Sequence, residues 1–245
     1  KNISNTADFN AETNWYWASA GKAITAYLTG KAQELGLLNI NEPSNKYLGN
    51  EWSSLTVQQE NDVKILNHLS MTTGVDYDIQ STDCTLDTCL KYKTAPGNQW
   101  FYHNATYTLL TDIIEAATKK DYNDFTDEEL QSKIGMKGSW IPSGYNNVYW
   151  STARDAARFG LLISNSGKWN EELVFNDQSY LSQMVNSSQS LNPSYGYLWW
   201  LNGKESIIVP SLPNSFNRSL SSTAPADMYA AMGKNGQLIN IVPSL

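Results

Sequence analysis

The chain has 245 residues, 41% hydrophobic and 17% charged, and 24 Asp and Glu against 17 Lys and Arg give a net charge of −7. That is enough apolar material for a sizeable core, while the acidity argues against a nucleic-acid partner, which needs clustered Lys and Arg. Only two His and two Cys, without H-E-x-x-H or paired C-x-x-C, leave little for a metal or cofactor, and no apolar run is long enough for a membrane span.

In chain order, Ser19 to Leu38 reads as a helix with Ala23, Ala26, Tyr27 and Gly30 on one face, ended by Gly36 and Asn39 to Pro43. Asp62 to Thr73 is a second helical stretch, closed by Gly74. Asn104 to Ala117 is a third, with Tyr107, Leu110, Ile114 and Ala117 three or four residues apart. Phe125 to Ile134 reads as helical up to Gly135. Ser151 is expected to cap a helix through Ile163, where Ala153, Ala156, Ala157 and Gly160 permit close packing. Asp177 to Val185 is another helix. The pattern then changes. Tyr195 to Leu201 is aromatic and β-prone, Asn202-Gly203 is a turn, and Ile207 to Val209 continues extended. Met228 to Ala231 and Leu238 to Val242 read as strands around Gly233 to Gly236. The expectation is an α/β (α+β) protein: a discontinuous sheet-plus-helix domain from residues 1–50 and 190–245, and an all-helical domain from 51–189 inserted in it.

Cys84 and Cys89 share one polar loop. Their spacing fits a small disulfide, worth about 2 kcal/mol by loop entropy and suited to an oxidising compartment. The alternative is two reduced cysteines.

Three short motifs carry chemistry. Ser19-Ala20-Gly21-Lys22 is S-x-x-K at a helix start, where positions i and i+3 share a face, so the Lys amine approaches the Ser hydroxyl. Serine needs a base, and a buried lysine that loses its proton near neutrality serves as one. Tyr102-His103-Asn104 lies before a helix and offers a phenol as proton shuttle and an amide to donate to a substrate carbonyl. Gly233-Lys234-Asn235-Gly236-Gln237 puts a lysine and backbone N–H groups at a strand edge. Singly, each has a plain structural reading: a capping Ser with a solvated Lys, a core Tyr before a capping Asn, and a hairpin turn. His68, in the apolar Leu66-Asn67-His68-Leu69, reads as a structural histidine and not a triad member.

In this order, S-x-x-K, Y-x-N and K-x-G resemble the serine β-lactamase and penicillin-binding-protein superfamily, in particular its class C-like branch. Asn67 to Gly74 resembles that family's "LLTHTSGL" helix end, Ser151 to Gly160 its "ST-x-x-DLARFG" helix, Tyr195 to Trp200 its "YGYGWW" strand, and Gly236 to Ser244 its "GQ-x-I-x-VVPS" strand. The resemblance implies a β-lactamase/transpeptidase-like fold, an antiparallel sheet flanked by helices with a helical insertion. It implies a serine hydrolase that cleaves a small-molecule or peptide-like ester or amide as an esterase, amidase or peptidase. Ser19 would form the acyl-enzyme, with Lys22 and Tyr102 sharing the proton. Asn104, Lys234, Gly236 and Gln237 would bind substrate, and the N–H groups of Ser19 and Gln237 would form the oxyanion hole. Lys234 would keep the local potential positive and lower the pKa of Tyr102 or Lys22. No cofactor is implied, and a periplasmic or secreted location is. The alternatives are a β-lactam or peptidoglycan sensor without turnover, or an inactive remnant of the fold. Three departures stand out. Asn235 replaces the Thr of Lys-Thr-Gly. Ser19 lies close to the start, where the family has a helix and strands. The chain ends at Leu245, where the family has another strand and a terminal helix. The expectation is therefore a fold truncated at both ends.

Overall fold

The structure, a computed structural model, describes residues 10–245. Its centre is α1 (Lys22–Glu34), in which every residue from Lys22 to Ala32 is buried. A helix covered on all sides is an interior helix, so its polar side chains need internal partners. Thr29 Oγ1 donates to the Thr25 carbonyl, and Lys31 Nζ lies 2.7 Å from Glu34 Oε1, 3.6 Å from Glu129 Oε2 and 3.0 Å from the Val174 carbonyl oxygen. Short helices α2 (Asn45–Leu48), α3 (Val57–Asp62) and α4 (Ile65–Leu69) lead to α5 (Asn104–Thr118). Then come α6 (Tyr122–Thr126), a wider π turn (Asp127–Gln131) and α7 (Ser132–Ile134). Thr25 on α1 accepts a hydrogen bond from Tyr122 on α6 (2.7 Å) and pairs with the Tyr107 hydroxyl on α5 (3.2 Å), so three uncharged hydroxyls join three helices.

Two three-stranded antiparallel sheets flank this helical centre. One has the order β1 (Trp15–Tyr16), β3 (Asn146–Ser151), β2 (Gly138–Ser143). Beyond it run α8 (Ala153–Ser164), the small hairpin β4 (Lys168–Trp169) and β5 (Glu172–Leu173), and α9 (Gln178–Met184). The late strands are β6 (Trp200–Leu201), β7 (Ile207–Ile208), β8 (Ser215–Phe216), β9 (Tyr229–Gly233) and β10 (Gln237–Ile241). The second sheet has the order β10-β9-β6, with Gln237 opposite Gly233 and Trp200 opposite Ala230.

This is the expected mixture of helices and antiparallel strands, with corrections in detail. The stretch 51–189 is not all helical, since it holds β2 to β5. Ser151 does not cap α8: it pairs with Trp15 in the sheet and accepts from the Trp17 indole at 2.8 Å. Thr152 is the cap, and it forms a reciprocal capping box with Asp155. The helix from Asp62 is broken at Val63, which is extended. Tyr195 to Trp199 is irregular, with Leu198 at a φ of 62°, so only its end is strand.

Candidate active site

Ser19 does not start α1, as its motif suggested. It lies in a single 3-10 turn (Ala18–Gly21) that runs into α1 at Lys22. Ala18, just before it, has a φ of 48°, a left-handed conformation that is unfavourable for a residue with a Cβ and that recurs at functional sites. The turn is held by Trp17, whose N–H donates to the Tyr149 carbonyl (2.8 Å), and by Ala20, whose N–H donates to the Trp17 carbonyl (3.0 Å).

Lys22 is one turn on. Its Nζ donates to Ser19 Oγ at 3.3 Å and lies 4.1 Å from the Tyr107 ring centroid and 5.2 Å from that of Tyr102. Burial brings its pKa down to about 7, against a smaller opposing pull from Asp83. A lysine at that value is half neutral at pH 7, which a base requires. Burial pushes the pKa of Tyr102 upward, against a smaller downward pull from its hydrogen bonding with Ser19, so its hydroxyl keeps its proton. The expectation is that Lys234 lowers Tyr102 or Lys22: Lys22 is lowered, by removal from water, and Tyr102 is raised by the same cause.

Tyr102 and Asn104 come from the segment that enters α5. Asn104 is not the cap that its motif suggested but the first helical residue, after His103. Its Nδ2 donates to Asp83 Oδ1 at 2.7 Å, while its Oδ1 is buried without a partner among the described residues. Asp83 directly precedes Cys84, which is bonded to Cys89. His68 is buried between Ser44 Oγ (2.9 Å) and the Thr106 carbonyl (2.7 Å), a structural position.

A cavity of about 540 Å³ joins Ser19, Tyr102, Asn104 and Lys234. Phe101, Trp200, Ile207, Val209 and Met232 supply apolar wall. Lys234 is exposed, on the three-residue turn between β9 and β10 where Asn235 and Gly236 have φ of 64° and 81°. The structure brings together five of the sequence-predicted residues, Ser19, Lys22, Tyr102, Asn104 and Lys234, but not the other two. Gly236 and Gln237 border a larger cavity of about 660 Å³ between β1, α8 and β10, which Ser19 does not line. It is Gly233 that faces the Ser19 turn: a Cβ there would lie 2.4 Å from the Trp17 carbonyl oxygen and 2.9 Å from the Ala20 nitrogen. The sequence reading missed Tyr107 and Asp83. Tyr107 was legible only as a helix-face aromatic, and Asp83 only as a neighbour of Cys84.

A sequence model of the beta-lactamase family matches residues 1–239. The chain belongs to the beta-lactamase family. Among curated relatives, an uncharacterized protein of Alkalihalophilus pseudofirmus is 23% identical over 271 residues, covering 98% of this chain and 73% of its own. Among solved structures, a beta-lactamase from Mycobacterium bovis superposes with a TM-score of 0.69 at 14% identity, covering 97% of this chain and 78% of that one. A D-stereospecific amidohydrolase from Streptomyces superposes with a TM-score of 0.61 at 14% identity over 94% and 81%. At these identities the structural likeness speaks for the fold.

Proposed function

We propose that the chain is a serine hydrolase that cleaves an ester or amide through an acyl-enzyme on Ser19. The observation that carries this is Lys22: its Nζ is 3.3 Å from Ser19 Oγ, and burial holds its pKa at about 7. Neutral Lys22 takes the Ser19 proton as Oγ bonds to the substrate carbonyl carbon. The bond from that carbon to the leaving group then breaks. Tyr102, neutral because burial raises its pKa, donates its proton to the departing atom and recovers one from Lys22. A water attacks the acyl carbon, loses its proton to the same pair, and the acid leaves as Ser19 is reprotonated. The proton belongs to the Lys–Tyr pair and not to one residue.

For the oxyanion we assign the N–H groups of Ser19 and Lys234 instead of Gln237, because β9 meets the Ser19 turn at Gly233. The apolar cavity wall favours a partly apolar substrate. Asn235 uses its amide on the Tyr16 hydroxyl at 2.7 Å, so no hydroxyl stands where Lys-Thr-Gly would offer one to a carboxylate. This supports a broader ester or amide substrate. The Cys84–Cys89 bond supports an oxidising location, periplasmic or secreted.

The test is labelling by a fluorophosphonate together with turnover of p-nitrophenyl acetate and nitrocefin, in wild type, Ser19→Ala and Tyr102→Phe. Labelling confined to Ser19, and turnover reduced about 1,000-fold or more by Ser19→Ala, is the expected result. Stable labelling without turnover in wild type indicates a sensor. Folded wild-type protein that is not labelled at Ser19 removes the proposal.

A further inference from the structure

One wall of the Ser19 cavity is the β7–β8 hairpin, and its base is fastened by buried side chains. The Ile208 N–H donates to Asn192 Oδ1 at 3.1 Å, and Asn192 Nδ2 donates to the Ile208 carbonyl at 3.0 Å. One amide side chain thus makes both bonds that a neighbouring strand would make to a residue. Ser194 Oγ adds a bond to the Ser206 carbonyl at 2.8 Å, and Asn192 and Ser194 are wholly buried. On the other side β8 pairs Phe216 with Ile207 and Ser215 with Ile208. The base of the hairpin is therefore tied to the segment that leads into β6.

Ile207, Val209, Pro210 and Ser211 of this hairpin line the cavity. Ile207 is buried, Val209 is half-buried, and Pro210 and Ser211 are exposed, so the hairpin runs from the cavity floor to its mouth. Leu220 continues the wall, and the only charged side chain in the lining is Lys234, on its exposed turn. An apolar strip that leads from floor to mouth suits an unbranched alkyl chain, because burial is favourable methylene by methylene. Tyr102, the proton donor to the leaving group in the reading above, stacks on Trp200 with ring centres 5.9 Å apart. That side belongs to the leaving group, which leaves the hairpin to the acyl group.

We propose that the β7–β8 hairpin is the acyl-chain wall of the site, that its substrates are esters or amides of unbranched medium-chain acids, and that Asn192 is the positioning residue that holds this wall. The inference rests on the serine hydrolase reading above and names its substrate class.

The experiment measures kcat/KM for p-nitrophenyl acetate, butyrate and hexanoate below the concentrations at which they form micelles, each corrected for its rate with hydroxide. Four added methylenes, at about fourfold each when buried, should raise the wild-type value roughly 100-fold from acetate to hexanoate. A rise below about tenfold overturns the proposal. Val209→Thr keeps the shape of the wall but places a hydroxyl in it, and should cut the hexanoate-to-acetate ratio about fivefold or more. Asn192→Asp keeps the size but sets an oxygen against the Ile208 carbonyl. It should lower the same ratio, mainly through a higher KM for hexanoate, whereas a merely structural role lowers both esters alike. A ratio unchanged in either folded variant also overturns the proposal, and the wild-type series decides where a variant does not fold. Fluorophosphonate labelling of Ser19 separates the two levels. Labelling without a rise along the series removes this inference alone, and absence of labelling in folded protein removes the hydrolase reading as well.

Discussion

Lys22 Nζ stands 4.1 Å from the centre of the Tyr107 ring, whose hydroxyl is occupied by Thr25. A ring face favours the charged ammonium, while burial favours the neutral amine. Burial dominates and sets the pKa near 7. We expect kcat/KM on p-nitrophenyl acetate to rise about tenfold per pH unit below that value and to level above it. Tyr107→Phe keeps the ring and should leave the limb in place. Tyr107→Leu removes it and should move the limb a few tenths of a unit lower. A limb that moves upward in Tyr107→Leu contradicts this account.

The same lysine is a liability for stability. Unfolded, it keeps its ordinary pKa of 10.5, while folded it titrates at about 7. Between those values the unfolded chain binds more protons, so stability falls as pH is lowered from 10.5 to 7 and the penalty is constant below. Lys22→Met should abolish turnover and stabilise the protein by roughly 1–4 kcal/mol at pH 7, with the gain fading toward pH 10.5. Urea titrations at pH 7 and at pH 10 check both the sign and the fading.

Gly233 has no room for a side chain, since a Cβ would meet backbone atoms of Trp17 and Ala20. Gly233→Ala should push β9 off the Ser19 turn, cost about 3 kcal/mol in stability, and slow Ser19 labelling at least tenfold through misplacement. Gly144, in the turn between β2 and β3, has nothing within 4 Å of an added Cβ. Gly144→Ala is strained by a φ of 61° but should leave the labelling rate unchanged. Equal labelling rates in wild type and Gly233→Ala contradict the close approach.

Glu34 links α1 to the start of α9. Burial raises its pKa, but hydrogen bonds from Lys31, from the Asn176 side chain and from the Asp177 and Asn176 backbone outweigh that and leave it lowered. A depressed carboxylate stabilises the fold above its unfolded value of 4.5 and loses that contribution as pH falls through the folded value. Glu34→Gln should destabilise at pH 7 and flatten the acid side of the stability profile below about 4.5. A thermal-melting series from pH 3 to pH 7 reads this directly, and parallel curves for the two proteins would count against it.

Long helices and the contact between Ser19 and Lys22 were legible because their cause is local. Tyr107, Leu110 and Ile114 repeat at helical spacing, and Ser19 and Lys22 lie one turn apart. The β2–β3 hairpin was not legible. Pro142 sits in β2, the edge strand where a missing N–H is tolerated, and the exposed Ile141 follows the buried Trp140, so apolar residues fall on both faces and hide the alternation that marks a strand. Ser151 looked like a cap because it precedes an alanine-rich run, and its pairing with Gly138 and with Trp15, together with the bond from the Trp17 indole, decides otherwise. Likewise the Asp83 to Asn104 contact spans 21 residues of irregular chain, with no periodicity to announce it.

The three hydroxyls that join α1, α5 and α6 carry no charge, and burial raises the pKa of both Tyr107 and Tyr122. Lys22 opens the first of these helices, Ser19 lies on the 3-10 turn that runs into it, and Tyr102 lies just before the second. The two halves of the proposed reacting pair are thus registered by dipoles that mobile ions do not screen. Catalytic alignment should hold from dilute buffer to molar salt, so salt sensitivity in turnover reports on substrate capture at the exposed Lys234 and not on the geometry of the pair.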